Sequence, residues 1–281
     1  MRRAAPLRGW AVTTVLIAGL LSGCAHRAAT ATPSPVRPTS VRPTPTPTSP
    51  APVPARPVGI TYPAAGSGAW RVAAAEPTPE PGTGTLLRYR VSVERDIGGL
   101  DADSVAATVR ETLNDRRGWT ADDSVWFRRV GPGQRHDFTV YLATPRTRDR
   151  LCGRGSDGYT SCRNGDRVVL NVARWVKGVP GYRSRLDEYR QYMINHEVGH
   201  RLGYGHELCP GTGRAAPVMQ QQTLGLHGCS PNPWPYRNGD RYAGRPGVYG
   251  DPVPPPDRGR RAGRGPHPVP GHGAESSRKE R

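Results

Sequence analysis

The sequence has no apolar run long enough to cross a bilayer as a helix, which takes about 20 residues. Its one marked run, from Ala11 to Gly23, is about a dozen residues long. Lysine is scarce, so arginine supplies almost all of the 40 basic side chains; with 23 acidic residues, the net charge is +17. That charge is not concentrated anywhere: +3 falls on residues 1–24, +3 on 25–80, +8 on 81–250 and +3 on 251–281. No basic element interleaved with aromatics stands out, so no nucleic-acid partner is expected. Diffuse attraction to anionic cell-surface polymers remains open; arginine-rich codon usage in a GC-rich genome is the simpler account. Apolar side chains are also thin at both ends, where Pro, Gly, Thr, Ala and Arg dominate and bury too little surface to offset the entropy of ordering. Only residues 81 to 235 have the composition of one compact domain.

The short apolar run has another use. Arg2, Arg3 and Arg8 flank it, and a positive flank before a run of this length reads as an export signal, residues 1–23. It ends in Leu21-Ser22-Gly23-Cys24, which resembles a bacterial lipobox. The resemblance implies lipidation of Cys24 and a protein held on the outer face of the bacterial cell membrane; the alternative is an ordinary cleaved signal and a secreted chain. Setting Cys24 aside leaves Cys152, Cys162, Cys209 and Cys229. An even remainder in an exported chain points to disulfides. Of the three connectivities, Cys152–Cys162 with Cys209–Cys229 is expected, because each pair brackets a Gly-rich loop.

Residues 24–80 are proline-rich, most densely from Pro33 to Pro57, and read as an extended, semi-rigid spacer. Residues 236–281 read as a disordered Pro/Gly/Arg-rich tail. Between these ends, Leu87, Tyr89, Val91 and Val93 alternate as in a strand, and Val105, Val109 and Leu113 recur at a helical step. VWFRRV and HDFTVYLAT read as strands around Gly131-Pro132-Gly133. Asn164-Gly165 suits a hairpin turn leading into DRVVLNVARW. A final helix spans SRLDEYRQYMINHEVGHRLG, with Ser184 as N-cap and Gly203 as its stop. Strand, helix, two strands, hairpin and helix make an α+β domain.

The chemistry lies in that last helix. His196 and His200 are four apart, so their imidazoles leave one face one turn apart. Ile194, Val198 and Leu202 keep the same step on the opposite face, which packs on the core. A third ligand from the next turn would drag the helix across the metal. Gly203 can take a positive φ and turn the chain sharply, so that His206 approaches from a new direction; His227, further on, is a rival for this place. Three neutral imidazoles leave a fourth tetrahedral position to water, as in catalytic zinc sites. Glu197, beside His196, is the expected general base. His26, His136, His267 and His272 are incidental.

The run His196-Glu197-Val198-Gly199-His200-Arg201-Leu202-Gly203-Tyr204-Gly205-His206 resembles the signature of the metzincin zinc endopeptidases. The resemblance implies a small twisted mixed sheet with two main helices, the active-site helix ending at a glycine turn. It also implies a later methionine turn under the imidazoles, for which Met219 is placed, with Met193 as its only rival besides the initiator. The segment Gly158–Cys162 would take the place of the edge strand that aligns substrate. More narrowly, NHEVGH, ELCPGTGRAAPVMQQQTLGLHGC and the lipobox with its spacer resemble an uncharacterised family of actinobacterial exported, metallopeptidase-like lipoproteins, which supplies a reaction class but no substrate. One departure is Gln221, where some metzincins carry a tyrosine that assists the metal or the oxyanion; Tyr204 and Tyr236 are the candidates to replace it.

The expectation is therefore a Zn2+-dependent endopeptidase acting on a peptide or protein substrate. Two alternatives stay open: a catalytically degenerate binding protein of the cell envelope, and a hydrolase of cell-wall cross-linking peptides, either implying cell-wall association.

Overall fold

The computed structural model describes residues 59–77, 82–153 and 157–261. The export signal, Cys24 and most of the proline-rich spacer lie outside the described residues.

In chain order the elements are β1 (Tyr62–Pro63), β2 (Trp70–Val72), β3 (Thr85–Glu94), α1 (Ala102–Leu113), β4 (Val125–Arg129), β5 (Phe138–Ala143), α2 (Pro145–Cys152), β6 (Cys162–Asn164), β7 (Arg167–Asn171), α3 (Val172–Lys177), α4 (Leu186–Arg201), β8 (Tyr236–Arg237), β9 (Asp240–Arg241) and β10 (Gly259–Arg260). The domain is α+β, built on a twisted mixed sheet of order β2-β3-β5-β7-β6. Its inner strands β3, β5 and β7 run parallel, and the outer strands β2 and β6 run antiparallel to their neighbours.

Strict alternation assigns the two faces. Val91, Val140 and Val168 are register partners, as are Val93, Leu142 and Leu170, and all six are buried in the main core with α1 and α4. Tyr141 and Val169, between them, and Ala143, after Leu142, face the other way and pack with Trp70 and with Cys152 of α2. A strand buried on both faces must be apolar throughout, which is why VYLA and VVL carry no charge.

Four sequence expectations need correction. β4 and β5 are not partners around the Gly131-Pro132-Gly133 turn: both run parallel to β3, β4 beside its first half and β5 along its second. The hairpin turn is Gly165-Asp166, one residue later than expected, because Asn164 pairs with Arg167; Gly165 has φ +62°, and its neighbouring Asn164 side chain donates to Leu151 O instead. DRVVLNVARW is not one strand: Asn171 turns it into α3 by accepting from Ala173 N–H. Ser184 does not cap α4: the N-cap is Arg185, which makes no side-chain cap, and the helix relies on Asp187 and Glu188 against its dipole. The polar helix α2, started by Pro145, gave no apolar period to detect.

The folded body is also wider than residues 81–235. Before it, β2 pairs with β3. After it, β8 pairs with β9, and β10 closes on β1. The proline-rich stretch 251–256 is pinned at its end by Asp257, which accepts from Lys177 Nζ at 2.6 Å and from Tyr62 Oη at 3.3 Å.

Candidate metal centre

α4 carries the first two histidines at its C-terminal end. Gly199, three residues before the C-cap Leu202, starts a six-residue closure: Tyr204 N–H donates to Gly199 O and Gly203 N–H to His200 O, with Gly203 at φ +98°. This double hydrogen bond is the Schellman arrangement that a glycine at this position permits. It has a second result. The carbonyl of Tyr204 swings back over the helix and accepts from His200 Nδ1–H at 2.8 Å.

His196 is held in the same way: its Nδ1–H donates to Val218 O at 2.8 Å. A carbonyl oxygen only accepts, so in both rings the proton sits on Nδ1 and the Nε2 lone pair is free. Carbonyl partners of this kind fix the tautomer and aim of metal-binding imidazoles. His206, past the glycine bend, completes the group: one nitrogen from each of the three rings falls within 4.8 Å of the others. His200 Nε2 and His206 Nε2 are 3.1 Å apart. Two lone pairs do not face each other at that distance without a proton or a cation between them. Nitrogens sharing a tetrahedral ion at 2.0–2.1 Å would be separated by about 3.3 Å, so the donor set fits a divalent transition metal.

Burial keeps these rings neutral. It holds His196 well below the usual imidazole range and lowers His206 to about 4, with the neighbouring rings adding to both effects. His200 is lowered as well, chiefly by burial, although its bond to Tyr204 O opposes this. Glu197, 5% exposed, is pushed up to about 8 by burial; the Arg148 guanidinium pulls it back and Asp157 raises it further. Its Oε2 has no hydrogen-bond partner.

The three imidazoles and Glu197 open onto a cleft of about 510 Å³. One wall is Thr160 to Arg163, the approach to and start of edge strand β6. A second wall is Gln221, Thr223 and Leu224. Both walls are covalently stapled, since Cys152–Cys162 and Cys209–Cys229 are the disulfides. Arg148, 1% exposed, donates to Thr160 Oγ1 at 2.8 Å and Ser161 O at 3.2 Å and pairs with Asp157, fixing the first wall.

Met219 is fully buried in the tight turn closed by Gln220 N–H to Pro217 O. Its carbonyl accepts from Glu207 N–H at 3.1 Å, next to His206, while the preceding carbonyl holds His196. The turn thus clamps two of the three histidines through its backbone. Its sulfur lies against Gly199: a Cβ built there would stand 2.4 Å from Met219 Sδ and 2.7 Å from Trp119 Cζ2.

Other candidates fall elsewhere. His227 bonds Asp251 at 2.7 Å and stacks on Tyr249, so it does not join the cluster. Tyr236 is tied to Asp122. Tyr204 does line the cleft, but its ring is stacked on Trp119 at 4.6 Å. His136 bonds only Gln134 O on the surface. Trp119, Gly199 and Arg148 were missed from sequence. Gly199 carried a usable signal, being a glycine in a helix interior, where glycine costs about 1 kcal/mol unless packing demands it. Arg148 carried none among 40 basic residues.

Fold and site together define an α+β domain with a three-histidine centre and an adjacent buried carboxylate in an open cleft. The chain belongs to the family described as "Protein of unknown function (DUF3152)", whose model matches residues 56–232 and so contains all four of those side chains. No curated protein and no solved structure matches it.

Proposed function

We propose that this protein is a zinc-dependent endopeptidase of metzincin-like architecture, with His196, His200 and His206 holding the ion and Glu197 acting as general base. The observation that carries this reading is the unpartnered buried oxygen of Glu197, set beside three converging imidazoles in a cleft bounded by the outermost strand of the sheet. A pure binding site has no need for a buried carboxyl group with an unpartnered oxygen, which costs free energy whether or not it is charged.

A bound divalent cation supplies Lewis acidity and lowers the pKa of water toward about 7. Glu197 takes one proton from the attacking water as its oxygen bonds to the peptide carbonyl carbon. It then delivers that proton to the amide nitrogen as the C–N bond breaks, so the carboxylate is restored. Burial favours the protonated form of Glu197, which suits holding that proton until the amide nitrogen takes it. The outward edge of β6 offers backbone groups to an extended substrate, which peptide-binding sheets use for alignment. Gln221 and Tyr204 face the same space and are available for contacts to the developing oxyanion, Gln221 standing two residues after Met219 where some metzincins carry a tyrosine.

Localisation belongs to the same proposal. Lipidation at Cys24, followed by the proline-rich spacer, would hold the domain on the outer face of the cell membrane. Pairing of all four remaining cysteines supports an oxidising compartment. Among the described residues no helix is long and apolar enough to cross a membrane.

The test is metal analysis of the purified protein together with digestion of a denatured peptide library and, separately, purified cell wall. Glu197→Gln should retain the ion and lose turnover by at least about 100-fold, the range of general-base catalysis. Turnover equal to the parent's would reject the mechanism, and absence of bound metal would reject the class.

A further inference from the structure

Arg241 lies beyond the family match and within the stretch whose composition reads as tail. Its guanidinium is nonetheless built into the surroundings of the histidine cluster. Nη2 donates to Glu207 Oε1 at 2.9 Å. Nη1 donates to Pro235 O at 3.3 Å and to Tyr242 O. The guanidinium carbon stands 5.1 Å from the ring centre of Trp119 and 5.1 Å from that of Tyr204.

The contacts to Glu207, Tyr204 and Trp119 lead on to the histidines. Glu207 follows His206, and its second carboxylate oxygen accepts from Gly244 N–H at 3.2 Å. His206 O accepts from Gly247 N–H at 3.0 Å, so the third histidine's backbone is held by the same late segment. Tyr204 supplies the carbonyl that receives His200 Nδ1–H. Trp119, beneath the Tyr204 ring, donates Nε1–H to Asn195 O at 2.9 Å and closes on Gly199 within the helix. One cation therefore touches the support of both His200 and His206.

We infer that Arg241 is a positioning residue of the metal centre, fixing His200 through the Tyr204–Trp119 stack and His206 through Glu207. The inference rests on the metal-centre reading above. Arginine suits the task because a planar guanidinium donates within its plane while stacking on aromatic faces. A lysine ammonium can replace the ion pair but not the fork and stack together. The pair is partly withdrawn from water, with the Arg241 and Glu207 side chains 20% and 12% exposed, so screening weakens it less than a surface pair. The segment after residue 235 is thus part of the site and not an appendage.

The full chain carrying Arg241→Gln should bind zinc about 10- to 100-fold more weakly, the usual cost of losing an outer-shell partner, read by competition with a chromophoric chelator. The visible bands of the cobalt-substituted protein should shift, because ligand geometry changes and not merely stability. Arg241→Lys should recover part of the affinity, and Arg110→Gln, in a remote pair with Glu76, should match the parent. A second measurement needs no metal: in nitrogen-15 spectra of the metal-free protein, His200 should be protonated at Nδ1 in the parent and lose that preference in Arg241→Gln. Zinc affinity within twofold of the parent and an unchanged cobalt spectrum would overturn the inference, as would a loss shared by Arg110→Gln. If the parent itself binds no zinc, the metal reading fails, and the His200 tautomer alone decides whether Arg241 positions the ring. If Arg241→Gln does not fold, Arg241→Lys carries the same comparison, with a cobalt spectrum identical to the parent's counting against the inference.

Discussion

Gly199→Ala separates helix propensity from packing more cleanly than any other change in this chain. Position 199 is in the interior of α4, where alanine is favoured over glycine by about 1 kcal/mol. A sequence-based argument therefore expects stabilisation. The packing argues the reverse, because the new methyl would stand 2.4 Å from Met219 Sδ, 3.2 Å from Met219 Cε and 2.7 Å from Trp119 Cζ2. Neither neighbour yields easily: Met219 has no exposed surface, and Trp119 is fixed by its hydrogen bond to Asn195 O. Overpacking of this kind costs typically 1–3 kcal/mol, and two clashes on opposed neighbours place it at the upper end. The net expectation is destabilisation by about 1–2 kcal/mol after the propensity gain. The displaced methionine also carries Val218 O away from His196, so zinc affinity should fall alongside stability. Denaturant unfolding of the metal-free protein gives the first quantity and chelator competition the second. A Gly199→Ala protein as stable as the parent, with unchanged zinc affinity, would show that the methionine turn does not bear on the helix as described. With Met219→Ala added, the combined loss should be smaller than the sum of the two single losses, since the cavity left by the methionine admits the methyl.

Two further outcomes follow from the walls and the late segment. Replacing Cys209 and Cys229 by serine opens a loop of sequence separation 20 that contains Met219; a loop of that length is worth roughly 3 kcal/mol, so thermal stability should drop and zinc affinity with it, and retention of both would remove the bridge's assigned role. Burial raises the Asp257 carboxyl, but the Lys177 ammonium, with Gly259 N–H and Tyr62, outweighs it and holds the group below its ordinary value, with Arg174 also facing it. A carboxylate depressed in the folded state contributes stability above its unfolded pKa and loses it as pH falls through the folded one. Asp257→Asn should therefore lower stability at neutral pH and narrow the gap to the parent below pH about 3.8; a gap that does not change with pH would refute the assignment.

The parts of this protein that were legible in the sequence are those in which one local rule decides the outcome. Val91 and Val93, or Val105, Val109 and Leu113, declare their element by period alone, and they sit in the core as the period demands. The three histidines were legible because the helix repeat and one glycine conformation fix their geometry almost without tertiary help. His227 could be set aside only in three dimensions, since nothing local says that it pairs with Asp251. Elements that depend on distant partners were not readable. α2 has too few apolar positions to show a face, and its place is set by contacts of Cys152 and by Glu94, a buried carboxylate that accepts from Thr144 N–H and Thr147 Oγ1. The segment 236–261 has the composition of a solvated tail, yet it is held by two-residue strand pairings, by Tyr236 in the core and by polar contacts spread over a long span, none of which leaves a pattern in sequence.

The second cleft wall raises the question of how some thirty residues, 203–235, hold a metal ligand in place with almost no helix or strand. Amide side chains take the part that a ladder would play. Gln222, 1% exposed, donates to Pro217 O at 3.1 Å and Asn232 O at 2.8 Å and accepts from Asn232 N–H at 3.1 Å and Tyr182 Oη at 2.8 Å. Asn232 continues the bracing by donating to Ala216 O and Trp234 O. These bonds surround the turn that carries Val218 and Met219. Gln222→Leu keeps much of the volume and removes all four hydrogen bonds, leaving Asn232 N–H, the Tyr182 hydroxyl and Asn232 O buried without a partner, while Pro217 O still accepts from Gln220 N–H. Each such orphan costs about 1–3 kcal/mol; with water reaching some of them, a total loss of at least about 3 kcal/mol is expected. Gln222→Glu keeps the acceptor and, as the neutral acid that burial enforces, one of the two donors, so it should fall between the two below neutral pH. Because the same turn orients His196 through Val218 O, zinc should bind more weakly in both variants, in the order of their stability. Denaturant titration with chelator competition on the same samples measures the two effects together. A leucine variant within 1 kcal/mol of the parent would mean that the wall is held by the disulfide alone.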